Sequence, residues 1–134
     1  MLEPPQISNQ LVVLGNQERG GDMSRSKTLD LSDRVERMGA LEDRFGITLE
    51  AMYAVFKEDE YANEVRVNFD VVSPNGGIDT DLQIFVSAYN SSGQLIATTY
   101  TYVDGDDFIG LESCSERLDC DEPPTKIRVY PKSN

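Results

Sequence analysis

The run DLQIFVSAYNSSGQLIATTYTYV, residues 81–103, constrains this chain more than any other part of it. Two stretches of about nine residues alternate in character with a period of two, which sends successive side chains to opposite faces of a strand. Between them Asn90, Ser91, Ser92 and Gly93 supply the turn chemistry of a hairpin. Leu82, Ile84, Val86 and Ala88 fall on one face, which Leu95, Ala97, Thr99, Thr101 and Val103 can share. The other face carries Phe85, Tyr89, Ile96, Tyr100 and Tyr102. Aromatic residues on the second face predict that it is covered too, by the chain's own helix or, failing that, by a partner or a second copy.

Elsewhere the pattern is also β. EVRVNFDVV places Val65, Val67, Phe69 and Val71 on one side of a strand. ITLEAMYAVFK aligns Ile47, Leu49, Ala51, Tyr53 and Val55, and further strands are expected at about residues 107–115 and 125–130. One segment reads differently: Leu31, Val35, Met38 and Phe45 recur at helical spacing, Asp30/Arg34 and Asp33/Arg37 form opposite-charge pairs four apart, and Gly46 suits a helix stop. These features predict an amphipathic helix over about residues 30–44. The expected fold class is mainly β, an antiparallel β-sandwich of immunoglobulin-like outline with one N-terminal helix. Residues 1–28 read as an N-terminal extension with an edge strand at Leu11 to Leu14 and a glycine-rich connector, and residues 29–134 as the single sandwich domain.

Composition narrows the chemistry. With no histidine in 134 residues, Ser-His and Cys-His nucleophiles and histidine-ligated metal sites are excluded, and no phosphate-binding glycine loop or nucleophile elbow is present. The net charge of −12 argues against nucleic acid and anionic membranes as partners. No run is long and apolar enough to span a membrane, and the start MLEPPQISNQLVVLG lacks the basic region and apolar core of a signal peptide, which sets the expectation at a cytoplasmic rather than an exported protein.

The acids are concentrated. Residues 104–122 hold eight of the 24 acids and one of the 12 bases. A hairpin centred between Ser91 and Ser92 pairs residues whose numbers sum to about 183, which sets Asp81 opposite Tyr102 and Asp79 opposite Asp104. Asp79, Asp81, Asp104, Asp106 and Asp107 then gather at one rim, a candidate calcium site of the kind that supplies oxygen ligands from flexible acidic loops. The alternative is that aspartate and glycine simply make these turns. Cys114 and Cys120, with five residues between them, are a candidate disulfide or two ordinary thiols.

These observations favour a non-catalytic protein-interaction module with a protein partner, basic by charge complementarity, or a second copy of itself. A calcium-dependent binding module is the alternative, and an acidic inhibitor that fills a basic cleft is a further one.

Overall fold

A computed structural model of the chain describes residues 27–133; the edge strand expected at Leu11 to Leu14 and its connector lie outside them. The described residues are mainly β: β1 (Lys27–Asp30), β2 (Val35–Arg37), β3 (Thr48–Glu58), β4 (Asn63–Val72), β5 (Leu82–Tyr89), β6 (Leu95–Val103), β7 (Leu111–Asp119) and β8 (Lys126–Ser133), with one helix, α1 (Gly39–Phe45). The strands form two four-stranded sheets, in the orders β1-β3-β4-β7 and β2-β8-β5-β6. Neighbours are antiparallel except β2, which runs parallel to β8.

The period-two runs supply the core. Val65, Val67, Phe69 and Val71 from one sheet join Leu82, Ile84, Val86, Ala88, Ile127 and Val129 from the other in a single cluster of buried residues. Each valine, leucine, isoleucine or phenylalanine side chain so buried contributes about 1.5–3 kcal/mol relative to exposure. The strand order is not that of an immunoglobulin domain. There the strand after B crosses to the opposite sheet; here β3, the neighbour of β1, is followed by β4 in the same sheet.

The helix expected over about residues 30–44 is replaced by a strand end, a 3₁₀ turn at Ser32–Arg34, β2 and the seven-residue α1. Tertiary pairing overrides helical spacing. Leu31 is drawn fully into the core and its amide donates to Ala54 O at 2.8 Å, while Val35 to Arg37 pair with Ile127 to Val129. The anticipated charge pairs give way accordingly: Arg34 donates to the carbonyl of Pro124 and Arg37 to Glu42. Gly46 does stop the helix, in the left-handed conformation at φ 69°.

The alternation expected through ITLEAMYAVF holds only to Leu49. Between Glu50 and Tyr53 the β3–β4 register shifts by one residue, with Ala51 at φ 54°. That bulge turns Ala54 and Phe56, rather than Tyr53, toward the core, and Tyr53 is left 45% exposed.

The hairpin register also differs from expectation. Gly93, at φ 78°, closes a turn in which Asn90 Oδ1 accepts from the amides of Ser92 and Gln94. A second irregularity lies between Ala88 and Tyr89, so that Ala88 faces Ala97 while Tyr89 faces Leu95. The result is a slip of two residues, which sets Gln83, not Asp81, opposite Tyr102. A two-residue slip preserves which face each side chain takes. Only the bulged end departs from the expected pattern, and there Leu95 is 54% exposed instead of inward.

Candidate functional site

The outer face of β8, β5 and β6 carries a row of aromatic rings. Phe85 pairs with Tyr100 on one side and Tyr130 on the other, with ring centroids 5.4 Å and 5.7 Å apart. Such ring pairs are worth about 0.5–1.5 kcal/mol beyond their burial. β8 adds cations because Lys126, Arg128, Tyr130 and Lys132 alternate onto this face: Lys132 Nζ sits 5.6 Å from the Phe85 centroid and the Arg128 guanidinium 5.2 Å from that of Tyr89. Arg128 also donates to Glu36 Oε1 at 2.6 Å, which ties β2 to the same face. The expected cover by the chain's own helix is not found: α1 packs against β8 and β3, and Tyr100 and Tyr102 remain 49% and 46% exposed. Of the five residues read as an aromatic surface, Phe85 and Tyr89 are half-buried, Tyr100 and Tyr102 exposed, and Ile96 is displaced by the bulge to one end of β6. Aromatic rings with cations beside them offer chemistry for stacking, cation–π contact and hydrogen bonding.

The acidic rim is organised around backbone amides. Asp81 accepts from the Tyr102 hydroxyl at 2.7 Å through Oδ2 and from the Gly105 amide at 2.8 Å through Oδ1. A diagonal neighbour two residues along the facing strand is within reach of a tyrosine, which is why this contact survives the register slip. Gly105 lets the chain approach closely there: a Cβ would lie a tight 3.3 Å from Asp81 Oδ1 and from the carbonyl carbon of Thr80. Asp104 Oδ1 accepts from the Asp106 amide at 2.9 Å and Asp104 O from Phe108, which builds the turn into β7. Asp79, Asp106 and Asp107 are exposed. Among the described residues no three side chains of metal-ligating type converge on a common point. The structure therefore brings Asp81 and Asp104 together through Gly105 and gives both turn-forming roles.

Tyr102 and Asp81 titrate as partners. The hydrogen bond to Asp81 pushes the Tyr102 phenol up to about 12, and the same bond, with the Gly105 amide, holds Asp81 below the ordinary carboxylate range. Tyr102 therefore stabilises the fold fully below its unfolded value of 10.0, and this contribution is lost as pH rises toward about 12. Asp81 contributes above its unfolded value of 3.8 and loses that contribution as pH falls through its lower folded value. Ultraviolet titration is expected to show one phenol ionising at about 12, moving back toward 10.0 in Asp81→Ala. An unmoved titration would contradict the pairing.

Of the two readings, disulfide or ordinary thiols, Cys114 and Cys120 take the second: both are free. Cys114 lies in β7 and Cys120 follows its last residue, so six residues of extended chain, about 20 Å, separate them, far beyond the reach of a disulfide. Burial, reinforced by neighbouring acids, pushes both thiols up to about 11. Cys120 sits at the floor of an open groove of about 240 Å³ lined by Asn90, Ile96, Asp119, Asp121 and Glu122.

One residue of structural weight escaped the sequence reading. Glu42 is 2% exposed and takes two bonds from Arg37, at 2.6 and 3.1 Å, and one from the Leu49 amide at 3.1 Å. Its carboxylate raises the already high pKa of Arg37 and ties α1 to Arg37 of β2 and Leu49 of β3. A lone glutamate as the fourth residue of a short helix carries no sequence signal for this role.

Comparison with protein-family models, curated proteins and solved structures gave no match.

Proposed function

We propose that this chain is a non-catalytic β-sandwich interaction domain that docks a protein partner on the outer face of β8, β5 and β6. One observation carries the reading: the row Tyr100, Phe85 and Tyr130 crosses three strands, and the chain's own helix leaves Tyr100 half-exposed. Interface hot spots are enriched in tyrosine and arginine, both of which this face supplies. The chain has a net charge of −12, yet Lys126, Arg128 and Lys132 all project from one strand of this face, which gives it a charge character unlike the rest of the molecule.

The immobilised chain tests this with two surface variants. Tyr100→Ser combined with Lys132→Glu is expected to weaken retention of a bound protein at least about tenfold, with little change in melting temperature. Tyr53→Ser, on the other sheet and 45% exposed, is expected to leave retention unchanged. Equal loss in both variants, or in neither, would contradict the assignment of this face.

A further inference from the structure

Of the strands that end a sheet, β1 carries Lys27 and Asp30, β2 Glu36 and Arg37, and β7 Glu112, Glu116, Arg117 and Asp119. β6 alone has no charged residue and no proline, and seven of its nine residues, LIATTYTYV, are β-branched or aromatic. Charge, proline, shortness and bulges are the usual protections of a free edge; β6 has none of the first three, and its one bulge lies at its start, at Ile96. Among the described residues it pairs only with β5. Its inward positions show the open side as well: Leu82, Ile84, Val86 and Ala88 of β5 are fully buried, whereas Ala97, Thr99 and Thr101 of β6 are only half-buried.

Acids stand at both ends of this edge. Asp104 follows Val103 directly and Asp106 comes two residues on, and at the other end Ile96 shares its groove with Asp119, Asp121 and Glu122. An antiparallel second copy would set the acidic turn of one chain against the acidic groove of the other, and like charges so placed oppose that pairing. A strand with positive ends meets complementary charge at each.

We infer that the free edge of β6 takes up an extended peptide segment of a partner protein, apolar and β-branched in its middle and basic at both ends, as an added strand. Backbone hydrogen bonds to β6 supply affinity, and the acids at its two ends select the charge. The inference rests on the interaction-domain reading and names the partner's chemistry at the edge of the same sheet.

The test is nuclear magnetic resonance titration of the full chain with the synthetic peptide Lys-Lys-Thr-Val-Thr-Tyr-Thr-Val-Thr-Lys-Lys. Saturable shifts are expected in the amides of Leu95 to Val103. They should be absent with proline at the peptide's central position, and absent with glutamate at its ends. Asp106→Lys and Asp121→Lys, both exposed side chains, are each expected to weaken binding about threefold to fivefold. The inference is overturned by an absence of saturable shifts at millimolar peptide, or by equal binding of the proline peptide. It is equally overturned if the amides on the open side of β6 already resist hydrogen exchange in the free chain, since residues 1–26 or a second copy would then hold the edge. Should the peptide fail while Tyr100→Ser with Lys132→Glu still loses a bound protein, the face reading stands and the edge reading falls.

Discussion

Glu42→Ala is expected to destabilise the chain by about 2–4 kcal/mol, because it removes a charge-assisted pair and strands a buried donor together. The upper end of that range belongs to pairs in which both partners are buried, and here the Arg37 side chain is 43% exposed and can return to water. The Leu49 amide cannot, since Leu49 is fully buried and Glu42 Oε1 is its acceptor. Glu42→Gln keeps an acceptor for that amide and loses only the charge, so it should cost about half as much or less. In thermal unfolding the alanine variant should melt about 10–20 °C lower. A loss below about 1 kcal/mol would mean that Glu42 does not hold α1 in place.

Phe69→Ala is expected to cost about 3–5 kcal/mol, the sum of lost burial and the cavity left behind. Phe69 is 1% exposed, heads the fully buried side chains by volume, and faces Cys114 across the β4–β7 ladder. The informative contrast is with Tyr100, another aromatic strand residue, whose truncation should change stability by no more than about 0.5–1 kcal/mol because nearly half of it faces solvent. Chemical denaturation of both variants measures the difference. Comparable losses would show that the outer aromatic face is part of the core's support rather than a free surface.

Much of the β architecture was legible because a period of two, once one face is buried, leaves a sequence little choice. Val65 to Val71 and Leu82 to Ala88 went inward as their alternation required. The failures occur where one residue breaks that period by backbone geometry alone. Ala51 sits in a left-handed bulge where glycine would have marked the position, and the irregularity between Ala88 and Tyr89 has no side chain that announces it. The expected helix failed for a different reason. Leu31 and Val35 had helical spacing, but the open edges of β3 and β8 offered both backbone pairing and burial, which a short isolated helix cannot match.

The candidate site was legible by composition more than by geometry. Tyr100 and Tyr102 were placed correctly on the outer face, because a two-residue slip conserves faces. The cations were not seen, since Lys126, Arg128 and Lys132 reach this face only through the pairing of β8 with β5, a contact about 40 residues apart in sequence. The acidic rim was open to two readings, ligand chemistry or turn formation, and its two central members accept from amides and a phenol that hold the rim's own loops.

The central claim is that the surface of β8, β5 and β6 is where this chain meets another protein. Hydrogen exchange of the chain alone and with a retained partner tests it most directly. Protection gained on binding should concentrate in Leu82–Tyr89, Leu95–Val103 and Lys126–Ser133. Protection concentrated instead in Thr48–Glu58 and Asn63–Val72, on the opposite sheet, would contradict it.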